Sequence, residues 1–146
     1  MEINKLNWMV DVANQCLGRI PCNGRRQLLE VPLGSSLESL ALGKLFDETV
    51  CIIDGHKGKA SATWSKFKLN SMDGKVKVVR GNVSSKIAVL QGHHQFDMVA
   101  IGVDRSGLSG DVLNYLSSLP CILYTSDYSA SMRKDIRLLS IQLSLL

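Results

Sequence analysis

The chain has 146 residues, of which 45% are hydrophobic, so it is long enough and apolar enough to build one core. Its formal net charge of +4 excludes a strongly acidic protein. A charge of this size is compatible both with a surface that binds polyanions and with ordinary surface charge that keeps a protein in solution. No window reaches the roughly 18 to 20 apolar residues of a membrane span, and residues 1–18 lack the apolar block of a signal peptide. We therefore expect a soluble intracellular protein that is not secreted and has no membrane partner.

Helical patterns and apolar runs alternate along the chain. An amphipathic segment at residues 3–17 comes first. Runs rich in β-branched residues follow at 27–33, 49–54, 75–81, 96–102 and 120–126. The helical patterns between and after them lie at 36–46, 59–72, 85–91, 109–119 and 129–139. Within the second of these, the spacing of Trp64 and Phe67 predicts two core residues.

Continuous apolar runs are typical of strands that are buried on both faces of a parallel sheet. Their alternation with helices predicts an α/β protein, a Rossmann-like, doubly wound and mainly parallel sheet of about five strands with flanking helices. No linker or repeat divides the sequence, so we expect one domain over residues 1–146.

The four cysteines are scattered at Cys16, Cys22, Cys51 and Cys121, and no two of them form a C-x-x-C pair. Such spacing favours reduced thiols over disulfides or zinc ligands. The adjacent histidines at 93–94 have no nearby carboxylate or cysteine to complete a metal site. We predict no metal.

In parallel α/β sheets, ligands bind at the carboxyl ends of the strands. Glu30 and Gly34 lie near the end of the first predicted strand, Asp54 ends the second, and Asn82 follows the third. Each also has a purely structural interpretation. Gly34 would form a simple turn and Ser36 would cap the next helix. Asp54 and Asn82 would be turn formers, and Glu30 would pair with one of the arginines at 25–26.

Three segments resemble class I S-adenosylmethionine-dependent methyltransferases. Residues 28–42, LLEVPLGSSLESLAL, resemble that family's first motif, in which an acidic residue precedes a glycine-rich turn. Residues 50–64, VCIIDGHKGKASATW, resemble the second motif, whose acidic residue accepts hydrogen bonds from the ribose hydroxyls. Residues 66–85 resemble the segment that leads to the adenine loop. The resemblance to the general fold extends over roughly residues 20–140.

This resemblance implies S-adenosylmethionine as cofactor. The residues that it places at the cofactor are Glu30, Gly34, Ser36, Asp54 and Asn82.

Residues 96–139 are similar, without gaps, to the RNA uracil-C5 methyltransferases. In that family one strand ends D-P-P-R-x-G-L and the next ends Y-V-S-C-N-P. The matching residues here are Arg105, Gly107, Leu108, Tyr124 and Ser126. The resemblance places the catalytic positions at Asp127, Asp104 and Arg105. Arg105 would hold a phosphate or carboxylate, or alternatively pair with one of the two aspartates.

The chain departs from this family at the reactive positions. Asp127 stands at the position of the cysteine that attacks uracil, and a carboxylate is a far weaker nucleophile than a thiolate. Asp104 follows Gly102 and Val103 where D-P-P is usual, and Ser36 replaces a motif glycine. We expect neither the family's C-terminal general base nor its N-terminal RNA-binding barrel.

The sequence therefore predicts a degenerate methyltransferase-like domain, a non-catalytic binding or assembly module in an RNA–protein context. The alternative is an active methyltransferase that acts on RNA or another acceptor without a cysteine nucleophile. A universal-stress-like nucleotide-binding protein is a weaker alternative.

Two surfaces of the predicted fold suggest partners. A five-stranded sheet would leave its fifth strand as an open edge, so we expect a protein partner or a homo-oligomer. The basic helical stretch with Arg133, Lys134 and Arg137 is either a contact for RNA or an acidic partner, or a solvated face.

Overall fold

The computed structural model describes residues 2–21, 24–32, 37–55, 57–104, 106–126 and 128–144. Helices and strands alternate through this part of the chain, which confirms the predicted α/β fold. The elements are α1 (Glu2–Leu17), β1 (Gln27–Val31), α2 (Leu37–Gly43), β2 (Glu48–Ile53), α3 (Lys57–Leu69), β3 (Val76–Arg80), α4 (Val83–Leu90), β4 (Met98–Val103), α5 (Gly110–Ser117), β5 (Ile122–Ser126) and α6 (Ser129–Ser144). None of the described helices is long and apolar enough to cross a membrane.

The five described strands form one parallel sheet in the order β3-β2-β1-β4-β5. Leu29 of β1 lies beside Val50 of β2 on one side and Val99 of β4 on the other. The chain therefore builds outward from β1 to β3 and then crosses to the opposite side of β1. The point between β1 and β4, where the order reverses, is where such sheets place their ligands.

Successive strand residues face opposite sides of the sheet, and both sides are covered by helices. On one side Leu28 packs with Met9 of α1 and Leu42 of α2. On the other side Leu29 packs with residues of α4, α5 and α6, among them Leu116. This double burial explains why the strands are continuous apolar runs rather than alternating ones.

Helix α3 covers the outer part of the sheet, and here one core prediction is wrong. Phe67 is fully buried against Cys51 and Ile53 of β2. Trp64, one turn earlier, is 38% exposed. The reason is that β3 is an outer strand, so the sheet ends where Trp64 would need a further strand to cover it.

The described sheet has two outer strands, since β3 pairs only with β2 and β5 only with β4. The predicted open edge at β5 is therefore present. A partner or second copy on that edge stays a prediction.

Candidate functional site

A cleft of about 420 Å³ opens at the carboxyl ends of the central strands. Its lining includes Pro32 after β1, Asp54 after β2, Asn82 after β3 and Asp104 after β4. Three of the predicted site residues, Asp54, Asn82 and Asp104, thus lie in one cleft although they are far apart in sequence. The parallel sheet brings them together because the carboxyl ends of all its strands point the same way.

A larger cleft, of about 710 Å³, lies at the opposite edge of the sheet. It is lined by residues that start or precede strands, such as Gln27, Asp97 and Pro120. None of the predicted site residues lines it, and amino ends of strands are not where parallel α/β sheets bind ligands. We therefore assign the site to the smaller cleft.

Asp54 is the first residue after β2, and it is exposed at the wall of the cleft. Among the described residues it has neither a hydrogen-bond nor an ion-pair partner. The following Gly55 has a φ of +139°, a conformation that favours glycine, so the chain does turn here as the structural interpretation predicts. No described residue of the turn hydrogen-bonds to the Asp54 carboxylate.

Asn82 caps helix α4. Its Oδ1 atom accepts a hydrogen bond of 3.2 Å from the backbone N–H of Ser85, and its backbone is extended, as an N-cap requires. The structural role of Asn82 is therefore that of a helix cap, where the sequence suggested a turn former. The cap uses only the carbonyl oxygen of the side chain, so a contact between the amide nitrogen and an adenine stays a prediction.

Glu30 lies beneath the cleft rather than in its wall. It is 2% exposed, and its Oε1 atom accepts a hydrogen bond of 2.5 Å from the hydroxyl of Ser39 in α2. Its Oε2 atom is buried and has no hydrogen-bond partner. Burial raises the pKa of Glu30 to about 8, against a smaller lowering effect of the Ser39 hydrogen bond. Glu30 is not among the described residues that line the cleft, so a contact between Glu30 and a cofactor stays a prediction.

The predicted ion pair between Glu30 and a neighbouring arginine is wrong. Arg25 instead pairs with Glu48 at 3.1 Å, on the surface. The Arg26 guanidinium donates to the carbonyl oxygens of Leu17 and Ile20. Glu30 points into the β1–α2 packing, where neither arginine reaches.

Asp104 follows β4 and is held by the loop that it begins. Its Oδ1 atom accepts hydrogen bonds from the hydroxyl of Ser106 at 2.6 Å and from the Ser106 backbone N–H at 2.9 Å. These two bonds lower the pKa of Asp104. A carboxylate with a lowered pKa is a poor general base near neutral pH, so the geometry favours a binding role over proton abstraction.

Four residues of the predicted site, Gly34, Ser36, Arg105 and Asp127, lie outside the described part of the chain. The expectation that the first motif's turn and the residue in place of the catalytic cysteine meet at this cleft stays a prediction. In the described part of the chain, no group of three or more histidine, cysteine, aspartate or glutamate side chains could hold a metal ion.

The sequence did not reveal the role of Asp135. This residue of α6 is fully buried, and its Oδ2 atom accepts hydrogen bonds from the Tyr124 hydroxyl at 2.6 Å and the Leu108 backbone N–H at 3.0 Å. Burial, together with the hydrogen bond to Asp135 and the charge of Asp135, raises the pKa of Tyr124. Asp135 thereby ties the loop after β4, which lines the cleft, to β5 and α6. The available signal was its four-residue spacing from Ser131 and Leu139, both buried.

Replacing Gly107 in this loop with alanine is expected to lower the free energy of unfolding by about 1–2 kcal/mol. Gly107 has a φ of +74°, and an added Cβ would lie 3.1 Å from Oδ2 of Asp135 and 3.1 Å from Nζ of Lys134. Urea unfolding of both variants measures the effect. Gly110→Ala is the matched control, because Gly110 lies in the first turn of α5 with no atom within 4 Å of its added Cβ. Equal effects of the two substitutions would contradict the geometry.

The sequence matches no protein-family model and no curated protein. One of the solved structures that share the fold is an O-methyltransferase. The O-methyltransferase TomG from Streptomyces achromogenes, involved in tomaymycin synthesis and solved in complex with SAM, has a TM-score of 0.58 and 17% identity, over 78% of this chain and 48% of that one. PigF with SAH has a TM-score of 0.42 and 12% identity, over 93% of this chain and 58% of that one.

The chain therefore spans about half the length of these two structures. At 17% identity, the likeness to TomG concerns the fold and not the chemistry. The strand order, the parallel pairing and this likeness together show that the chain has the Rossmann-like fold of the class I methyltransferases.

Proposed function

We propose that the cleft at the carboxyl ends of β1 to β4 binds S-adenosylmethionine or S-adenosylhomocysteine, and that the chain is a methyltransferase-like binding domain. The observation that carries this proposal is the carboxylate of Asp54 at the end of β2, which lines the cleft and has no ion-pair or hydrogen-bond partner among the described residues. A carboxylate in this position accepts hydrogen bonds from both hydroxyls of a ribose, and each bond is strengthened by the charge.

The rest of the cleft supports a ligand of this size. Its volume of about 420 Å³ lies in the range of small-molecule sites. Asn82 would offer its amide nitrogen to the adenine. Pro32, where the chain leaves β1, has no N–H to donate to a ligand, so contacts to the methionine part would come from other groups.

We infer that the domain is non-catalytic and works in an RNA–protein context. The RNA association is supported by the similarity of residues 96–139 to RNA uracil-C5 methyltransferases. The loss of catalysis is supported by the replacement of the nucleophilic cysteine by Asp127 and by the lowered pKa of Asp104. The alternative, an active methyltransferase, has one argument in its favour: transfer to oxygen or nitrogen depends mainly on positioning and needs no cysteine.

Titration calorimetry with S-adenosylmethionine, S-adenosylhomocysteine and ATP tests the binding proposal. We expect micromolar binding of the first two and an affinity at least about tenfold lower in Asp54→Ala, because charge-assisted hydrogen bonds are lost. Asp73→Ala is the matched control, since it removes an equally exposed carboxylate far along the chain. No heat at about 100 μM protein would overturn the proposal. Tighter binding of ATP would instead favour the universal-stress-like alternative.

A methyl-transfer assay on the same protein distinguishes a binding module from an active enzyme. Incubation with methyl-labelled S-adenosylmethionine and a mixture of cellular RNAs is expected to transfer no label, whereas labelled RNA would establish the active alternative.

A further inference from the structure

The positive charge of this chain is concentrated in one segment. Residues 57–86 contain eight lysines and arginines and one acidic residue, Asp73, which gives a net charge of +7. Because the whole chain carries +4, all other residues together carry −3. The eight basic residues are Lys57, Lys59, Lys66, Lys68, Lys75, Lys77, Arg80 and Lys86. The overall net charge is therefore small although one segment is strongly basic, because the remaining residues are acidic on balance.

The fold gathers this segment at one edge of the sheet, because it consists of the outer strand β3 and the two helices beside it, α3 and the start of α4. Lys66, Lys68, Lys77 and Arg80 are all exposed. No carboxylate of a described residue forms an ion pair with any basic residue of the segment whose side chain is described. A net charge of this size without internal partners attracts polyanions.

An apolar groove with an exposed aromatic side chain lies within the same surface. It has a volume of about 530 Å³ and runs between α3 and the open edge of β3. Trp64, Val76 and Val78 line it, and so does Lys77. Lys68 follows Trp64 by four residues, so the two side chains lie on the same side of the helix. The α3–β3 surface, defined here as Trp64, Lys68, Val76, Lys77 and Val78, therefore combines a partly exposed indole with cations.

We propose that the α3–β3 surface binds single-stranded nucleic acid, with phosphates held by the lysines and an unpaired base stacked on Trp64. Cations that follow a backbone and an aromatic platform that stacks bases are the two parts of single-strand recognition. Seven of the eight basic residues are lysines, which contact phosphates as point charges, so we expect binding with little sequence preference. Helix α3, with 13 residues, is about 20 Å long, enough for several nucleotides.

A lysine on an outer strand also prevents that strand from pairing with another sheet. This accounts for Lys77 and Arg80, but it does not account for Lys66 and Lys68, which lie on a helix. A second copy of the chain on this surface is disfavoured, because it would bring two regions of +7 together.

The inference specifies the partner surface of the RNA association proposed above, but it does not depend on cofactor binding. Fluorescence anisotropy with a labelled 20-nucleotide oligo-uridine tests it, using the full chain. We expect the logarithm of the affinity to fall with the logarithm of the salt concentration with a slope of about −2 to −4, as for several neutralised phosphates. Trp64→Ala is expected to lower the affinity about tenfold.

Charge reversal locates the surface. Lys68→Glu combined with Lys77→Glu is expected to weaken binding at least tenfold, whereas Arg133→Glu combined with Arg137→Glu on α6 changes the net charge equally and is expected to leave most of the affinity. Equal losses in both pairs, or no binding by the unaltered chain, would overturn the proposal. Duplex DNA that binds as tightly as the RNA, with no effect of Trp64→Ala, would also overturn it. Displacement of the RNA by poly-glutamate at the same concentration of charges would do so as well. Calorimetry with S-adenosylhomocysteine on the same chain separates a failure here from a failure of the cofactor proposal.

Discussion

The variant Glu30→Gln is expected to lose most of the pH dependence of stability that the unaltered chain shows between about pH 5 and 8. Glu30 is buried, and its pKa is raised from 4.5 to about 8 in the folded chain. Below pH 4.5 it is protonated in both the folded and the unfolded chain. Between pH 4.5 and 8 it is neutral in the folded chain and ionised in the unfolded chain, so unfolding releases a proton.

The free energy of unfolding therefore falls as the pH rises through this interval. The stabilisation linked to Glu30 is fully present below about pH 4.5 and is lost by about pH 8. At about 1.36 kcal/mol per pH unit, the loss is about 5 kcal/mol. Glutamine stays neutral at every pH and keeps an oxygen that can accept the Ser39 hydrogen bond. Its amide group replaces the unpartnered Oε2, at a constant cost of about 1–2 kcal/mol.

Urea unfolding at pH 5, 6.5 and 8.5 measures the effect. We expect Glu30→Gln to be somewhat less stable than the unaltered chain at pH 5 and more stable, by about 3 kcal/mol, at pH 8.5. The control is Glu48→Gln, whose carboxylate lies in a surface ion pair with Arg25. This control should keep the pH profile of the unaltered chain. Parallel profiles for Glu30→Gln and the unaltered chain would show that Glu30 is not held neutral.

Asp135→Ala is expected to lower the free energy of unfolding by about 2–4 kcal/mol, because it leaves two partly buried donors without an acceptor. These donors are the hydroxyl of Tyr124 and the backbone N–H of Leu108, both bound to Oδ2. Asp135→Asn keeps a side-chain carbonyl oxygen in about the same place and should cost less than Asp135→Ala. Asp11→Ala, on the exposed face of α1, is the control and should change stability by less than about 0.5 kcal/mol.

A double-mutant cycle with Tyr124→Phe isolates the hydrogen bond between the two side chains. Removing both partners should cost less than the sum of the two single changes, with a coupling of about 1–2 kcal/mol. Additive effects would mean that the 2.6 Å contact contributes nothing to stability.

The order and type of the elements could be predicted from the sequence. The central strands β1, β2 and β4 are buried on both faces and are therefore largely apolar, and the runs at 27–33, 49–54, 75–81, 96–102 and 120–126 identified β1 to β5. The placement of Asp54, Asn82 and Asp104 at one cleft followed as well, because in a parallel sheet each residue that follows a strand lies at the same edge. Most boundaries differed by no more than three residues, and α6 ends five residues later than predicted, since helix and strand ends depend on hydrogen bonds that the apolar pattern does not record.

Only the tertiary structure decided the surroundings of side chains whose neighbours come from distant parts of the chain. Trp64 has the spacing of a core residue, but it is exposed because β3 ends the sheet beside it. Glu30 looks like a surface acid with arginines nearby in sequence, yet β1 carries it into the packing against α2, where Ser39 is its partner.

Asp135 belongs to a basic, polar stretch of sequence, and its spacing of four residues from Ser131 and Leu139 is the one local sign that it is buried. Its partners, Tyr124 and the N–H of Leu108, come from β5 and from the loop after β4. The sequence by itself thus determined the elements and the edge of the sheet where polar residues gather, because both follow from local apolar patterns. The protonation of Glu30 and the anchoring of the cleft loop depend on which atoms meet across the fold, and only the tertiary structure decides that.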